Sequence, residues 1–224
     1  MFDRLELLIG KYNVDILKTK KILVIGLGGV GGYVVEALVR TGIENIDIVD
    51  YDKIELSNIN RQIISLHSNI GKKKTDVFKE RILDINPDAQ VKVIDLFLDS
   101  DNIDSIINDY DYVIDACDTV SAKKNIIRTC IKKSIPFISC MGTGKKLDPS
   151  KLEIVDIRKT SYDPLAKIIR KFIRDEKIRN KVMVLTSKET IKNTNTDVIP
   201  SAIFVPATAG LLIANYVIRD ILNI

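Results

Sequence analysis

The chain has 224 residues, of which 46% are hydrophobic and 29% charged, with 34 Lys and Arg against 30 Asp and Glu for a net charge of +4. This is a globular composition, long enough to bury a full core. Its three cysteines (Cys117, Cys130, Cys140) include no C-x-x-C pair, which argues against a zinc ribbon and a disulfide scaffold and fits the reducing cytoplasm.

The N-terminal MFDRLELLIGK carries acids among its apolar residues and no small-residue cleavage site, so it does not read as a signal peptide. KILVIG is a short apolar run of strand type, followed by a predicted helix from about Val30 to Thr41. NIDIVD reads as a second strand, Gly71 to Ile85 as a helix ending before Asn86-Pro87, VKVIDL as a third strand and DYVIDACD as a fourth. A helix over Ser121–Lys132 leads to a fifth strand in IPFISCM. Strands alternating with helices at this spacing predict right-handed crossovers and a Rossmann-like α/β architecture, a mainly parallel sheet with helices on both faces. Sites in such sheets lie at the carboxyl ends of the strands, where Gly26, Asp50, Asp115, Asp118 and Gly142 are expected to gather.

The order changes at MGTGKKLDPSK, a glycine, lysine and proline loop. Beyond it come a strand (LEIVDI), an amphipathic helix from Asp163 to about Asp175, a strand (VMVLTS) and a polar loop from Lys188 to Asp197, the best candidate for disorder. We therefore expect a single domain, with residues 1–141 as a nucleotide-binding half and 142–224 as a smaller, mixed half that faces substrate and a dimer partner. No charged residue lies between Asp197 and Arg219. Pro206 suits a first helical turn, and a helix from Pro206 to Ile218 falls short of the roughly 20 residues a bilayer demands. No membrane span is expected, but a buried helix at a subunit contact.

VIGLGGVGG places glycines at 26, 28, 29 and 31 between a strand and a helix. That spacing lets backbone N–H groups approach a phosphate closely. Asp50 ends the second strand, 19 residues after Gly31, where an acid holds an adenosine ribose. On these two features a nicotinamide dinucleotide is the favoured ligand. The stretch DYDKIELSNINRQ, followed by GKKK, points elsewhere. Hydride transfer has no use for cations clustered over phosphates, whereas Arg61 and Lys74, with Asn58 between the acid and the arginine, suit a triphosphate and its charged transition state, and Asp118 suits Mg²⁺. Read blandly, Arg61 and Lys74 are solvated surface charges.

The run GLGGVGGYVVEALVRTGI…IDIVDYDKIELSNINRQI…GKKK…INP…DYVIDACDTVSAK resembles the ATP-dependent adenylating core of the ubiquitin-activating-enzyme-like superfamily. The resemblance implies Asp50 on the ribose with Asp52 beside it, Asn58, Arg61 and Lys74 on the phosphates, Asp118 on Mg²⁺, and adenylation of a carboxylate. It also implies that an arginine near the chain start enters the partner subunit's site; Arg4 sits at the matching place, with a plain surface arginine as the other reading.

MGTGKKLDPSKLEIVDIRKTSYDPLAKIIRKFIR and IPSAIFVPATAGLLIA are similar to the tRNA threonylcarbamoyladenosine dehydratase family, so the likeness runs over nearly the whole chain. The family implies a homodimer that uses ATP to activate the carboxylate of N6-threonylcarbamoyladenosine, beside the anticodon of tRNA, for ring closure by its own carbamoyl group. The chain departs from the family's usual histidine after R-Q-I: Ile64 stands there, and the only histidine is His67. Charge points to nucleic acid independently. Residues 145 to 181 hold twelve Lys or Arg against six acids. Lys167, Arg170, Lys171 and Arg174 fall on one helical stripe, and Leu165, Ile168, Ile169, Phe172 and Ile173 on an opposite, core-facing one. The competing reading is an adenylyltransferase for a ubiquitin-like sulfur-carrier protein, and a sulfur-transfer partner protein stays open.

Overall fold

A computed structural model of the chain describes residues 1–190 and 198–224. Two helices open it, α1 (Asp3–Ile9) and α2 (Lys11–Thr19), with Gly10 between them at φ +86°. The alternating part follows as β1 (Lys21–Ile25), α3 (Gly31–Arg40), β2 (Asn45–Val49), α4 (Lys74–Ile85), β3 (Gln90–Ile94), a short α5 (Ile103–Ile106), β4 (Tyr112–Asp115), α6 (Val120–Lys133) and β5 (Phe137–Cys140). The second half supplies β6 (Leu152–Asp156), α7 (Pro164–Asp175), β7 (Met183–Ser187) and α8 (Phe204–Leu222).

All seven strands form one sheet in the order β3-β2-β1-β4-β5-β7-β6, parallel except where β6 runs antiparallel to β7. The apolar runs explain it. Ile22 and Val24 of β1 enter one core while Leu23 and Ile25 enter the other, because successive strand side chains point to opposite faces. The first core packs under α3, α4 and α8, and the second under α5 and α6. A third cluster, around Ile157, Ile169, Phe172 and Val184, seats α7 beside α6. The chain leaves β1 toward β2 and β3, then returns to lay β4 on β1's other side, so the topological switch falls between β1 and β4. In open α/β sheets that crevice, at the carboxyl ends of the strands, is where ligands sit.

Several expectations shift. The helix expected from Gly71 begins at Lys74, because Gly71 (φ +85°) turns the chain and Lys53 pairs with Lys73 across an isolated antiparallel bridge. The last helix is longer than Pro206–Ile218. It spans 19 residues, because Pro206 takes the third helical position, where the N–H has no intrahelical partner anyway, and the C-terminal end runs to Leu222. Among the described residues this is one helix long and apolar enough to cross a membrane. Here its buried face, including Ala209, Gly210 and Ile213, packs on α3, so closely that a Cβ on Gly210 would lie 2.5 Å from the Val30 carbonyl oxygen. Ile168, expected in the core stripe of α7, is 44% exposed and lines the cleft described next. Of the polar loop Lys188–Asp197, residues 191–197 lie outside the described residues.

Candidate active site

The β1–α3 turn begins at Gly26, whose φ of +89° favours glycine and whose Cβ, if present, would lie 2.8 Å from the Cys117 nitrogen. At Gly31 a Cβ would lie 1.8 Å from the Gly26 carbonyl oxygen, so the turn closes only without one. Gly28 and Gly29 complete the turn and line a cleft of about 770 Å³ at the switch point. Helix α3 starts at Gly31, right after this turn, so the positive end of its dipole lies beside the cleft, a favourable seat for phosphate.

Asp50 follows β2 and is buried; it accepts the backbone N–H of Leu27 at 2.6 Å and of Asp52 at 2.8 Å. Burial pushes its carboxyl up, against Lys74 and those two N–H groups, which pull it down. The segment after β2 pairs with the segment before α4: Ile54 N–H donates to the Lys72 carbonyl and Lys74 N–H to that of Asp52. This pairing sets Lys74, 4% exposed, against both acids, 2.7 Å from Asp52 Oδ2 and 3.8 Å from Asp50 Oδ1. Lys74 is therefore no solvated surface charge. Asn58 is buried in a tight turn, where its Oδ1 accepts the Glu55 N–H at 3.1 Å. Arg61, at the end of that turn, donates through Nη1 to the Ser57 carbonyl at 2.8 Å and to Asn60 Oδ1 at 3.0 Å, and has no carboxylate partner among the described residues.

The opposite wall comes from β4, β5 and the loop after β5. Asp115 does not line the cleft; it is fully buried beneath it, 3.0 Å from Lys123 Nζ, and Lys123 is fully buried too. Lys123 also donates to the Cys140 carbonyl at 2.7 Å, and Asp115 accepts the Cys117 N–H at 3.2 Å. The pair thus ties α6 and β5 under the turn that carries Asp118. Asp118 is exposed in the cleft with no ion-pair partner among the described residues. Lys146, buried, donates to the Gly142 carbonyl at 2.6 Å and to Asp163, the N-cap of α7, at 3.3 Å. It pins the loop whose next-door Lys145, at φ +61° and without an ion-pair partner among the described residues, lines the cleft. Lys74 is shared by two acids and Lys146 faces Asp163. The charged side chains of the cleft without an ion-pair partner among the described residues are Arg61, Lys145 and Asp118. Two cations and one exposed carboxylate suit a polyphosphate with a metal ion. Mg²⁺ is typically held by one or two carboxylates plus substrate phosphates.

Residues 2–219 match the ThiF family. The chain is 39% identical to the tRNA threonylcarbamoyladenosine dehydratase of Bacillus subtilis over 99% of its own length and 94% of that protein's. The chain belongs to the ThiF family, in its tRNA threonylcarbamoyladenosine dehydratase branch. Among solved structures it superposes on the Escherichia coli dehydratase with bound AMP at 34% identity and a TM-score of 0.92, covering 97% of this chain and 92% of that one. The same Escherichia coli protein with ATP matches at 33% identity and TM-score 0.92, over 99% and 93% of the two chains.

As a ThiF-family chain it brings Gly26, Gly28, Gly29, Asp50, Asp52, Asn58, Arg61, Lys74 and Asp118 to one cleft. Arg4 is not among them; it is exposed on α1, outside the cleft of its own chain. The stripe on α7 also divides: Arg170 and Arg174 line a separate groove, which Lys167 and Lys171 do not. Lys123, Lys145 and Lys146 were not singled out from the sequence. Their signal was only a lysine pair in SAKK and in GKK, and lysines are common on surfaces. Ile64, in the place of the family's usual histidine, is core at 2% exposure, and His67 lies outside the cleft.

Proposed function

We propose that the chain is an ATP-dependent tRNA threonylcarbamoyladenosine dehydratase acting through carboxylate adenylation. One observation carries this reading: Arg61, Lys74 and Asp118 converge on the switch-point cleft of a chain that follows the ATP-bound Escherichia coli dehydratase over 99% of its length. In the reaction a carboxylate oxygen of the modified adenosine attacks the α-phosphorus of ATP, and pyrophosphate leaves with the electrons of the broken P–O bond. The carbamoyl group of the same side chain then attacks the acyl carbon, a proton is lost, AMP departs and the ring closes, so the product is shorter by one water.

Arg61 and Lys74 stabilise the phosphate charge that develops during the first step. Asp50, held by two backbone N–H groups and Lys74, and Asp52, held by Lys74, face the ribose. Asp118 would hold Mg²⁺ together with phosphate oxygens; bound there, the ion supplies further charge neutralisation. No thiol is required, because nucleophile and electrophile share one substrate. The cysteines agree with that: burial, with the charge of Asp115, raises the Cys117 thiol well above its ordinary range, and burial raises Cys140 to about 12.

Residues 142–224, with Lys145 and the start of α7, face the substrate in this reading. A second copy completes the site. Leu7, Leu8 and Tyr12 are 89%, 80% and 78% exposed on the helices flanking Arg4, an apolar surface suited to a homodimer that sends Arg4 across. The cytoplasm, where tRNA and ATP meet, is the compartment. The test is mass spectrometry of nucleosides from modified tRNA treated with the protein and ATP. Loss of one water with release of AMP and pyrophosphate is expected. Unaltered nucleoside, with pyrophosphate released only when a sulfur-carrier protein is supplied, would overturn the reading.

A further inference from the structure

Away from the cleft, a shallow groove of about 370 Å³ gathers Arg158, Arg170, Arg174, Lys177 and Arg179 over a floor of Ile173 and Ile178, with no acidic residue in its lining. Five like charges brought together repel one another unless an anion joins them. Acids nearby relieve only part of this. Arg158 is 2.9 Å from Asp156 and Arg174 is 3.6 Å from Asp175, while Lys177 and Arg179 have no ion-pair partner among the described residues. Two of the arginines are held in place rather than waving in solvent. Arg158 Nη2 donates to the carbonyls of Ile178 and Asn180 at 2.7 and 3.1 Å, and Arg170 Nη1 donates to the Thr160 carbonyl at 2.9 Å. Lys177 takes a left-handed conformation (φ +54°) just past α7, a position where glycine is the usual choice. A lysine there costs the backbone something and adds a charge to the groove.

We infer that this groove seats backbone phosphates of the tRNA strand next to the reacting nucleoside. The inference rests on the reading of the chain as a tRNA dehydratase. It follows from α7, which borders both places: Leu165 and Ile168 line the cleft, Arg170 and Arg174 the groove. From Ile168 to Arg174 the helix rises about 9 Å and turns the side chains about 120° around a body roughly 10 Å wide, a path of about 15 Å, or between four and five stacked nucleotides at roughly 3.4 Å each. A strand whose modified base enters the cleft therefore passes the groove within a few phosphates. Held guanidinium forks match phosphate oxygens two at a time, and such contacts fix register without reading sequence. The groove also separates α7's cations by task. Arg170 and Arg174 belong to it, together with three residues from other segments, and Lys167 and Lys171 stand outside.

The experiment compares Arg174→Gln/Arg179→Gln with Lys167→Gln/Lys171→Gln, equal charge losses at exposed positions, in binding to tRNA bearing N6-threonylcarbamoyladenosine at 50 to 200 mM salt. In the groove pair the slope of log K against log salt should fall by about 1.4–1.8, because each lost phosphate contact removes about 0.7–0.9. The affinity lost between 50 and 200 mM then shrinks by about seven- to twelvefold. The other pair should change the slope by less than half as much. Equal changes in both pairs would mean general charge attraction and overturn the groove, as would an unchanged slope in the groove pair. If the wild-type protein with ATP leaves this tRNA unaltered, the function itself fails. Conversion by wild type with an unchanged slope in the variants rejects the groove alone.

Discussion

Arg61 and Lys74 look alike in the sequence, two cations near two strand ends, yet their surroundings predict different variants. Arg61 is half-buried, held only by the Ser57 carbonyl and Asn60. Arg61→Ala should lower pyrophosphate release by about 10²–10³-fold, as for loss of one preorganised charge-stabilising donor, with the melting temperature nearly unchanged. Lys74→Ala should match that loss and also destabilise the fold by about 1–3 kcal/mol, because buried Asp50 and half-exposed Asp52 lose their counter-charge. The Asp50 carboxyl, already raised by burial, moves further up when Lys74 goes. Urea denaturation beside a pyrophosphate assay separates the two, and equal stability of both variants would remove the burial argument. The thiols make the opposite case. Replacing Cys117 by Ser and Cys130 and Cys140 by Ala should leave dehydration by the folded protein intact, and its complete loss would bring a thioester route back.

At the level of elements, the Lys123–Asp115 pair holds the floor of the cleft. Burial works against the Lys123 ammonium, but the groups around it, Asp115 first among them, together keep its pKa above the ordinary lysine value. Removing one member strands a buried charge, so Lys123→Met should cost about 3–5 kcal/mol. Adding Asp115→Asn removes both charges while keeping an oxygen for the Cys117 N–H, and the double variant should be more stable than Lys123→Met alone. Urea midpoints for the two proteins decide it; a double variant no more stable than the single would mean that the pair is held by something other than charge. None of this could be seen in DACDTVSAKK, which reads as an ordinary strand end and helix start. The partner of Asp115 lies on the first turns of α6, and only the packing of α6 against β5 turns that lysine inward.

For the whole molecule the question is whether one chain makes a complete site. Arg4 lies on α1, which has no buried residue, and its own cleft is built without it. If it crosses to a partner, Arg4→Ala and Arg61→Ala homodimers should each be nearly inactive. Mixed under exchanging conditions, a heterodimer then carries both lesions in one site and neither in the other, so part of the wild-type rate should return. No recovery, with exchange shown by mass spectrometry of the mixed dimers, would confine Arg4 to its own surface.

Periodicity was enough to determine the strands β1 to β5 and the helices α3, α4 and α6, because short apolar runs and helical repeats are local and survive in any packing, while the four-residue α5 is too short to show a repeat. The glycine turn, Asp50 and Asp118 were legible for a related reason: they follow β1, β2 and β4, and a parallel sheet must bring those strand ends to one edge. Asn58, Arg61 and Lys74 lie instead in the connection from β2 to the start of α4 and were legible through the motif they share with the adenylating superfamily. Pairing after that point was not local. Nothing within LEIVDI or VMVLTS says that the later strand lies beside β5 and the earlier one runs antiparallel at the edge, since both have the same apolar content and the choice depends on which faces α6 and α7 leave to be covered. The same holds for side chains with two possible fates. Helical spacing put Ile168 with the core and Lys167, Arg170, Lys171 and Arg174 on one stripe, whereas the tertiary structure turned Ile168 to the cleft and kept only Arg170 and Arg174 in the groove. A helix presents its whole circumference, and only its neighbours decide which arc becomes core, which becomes site and which meets water.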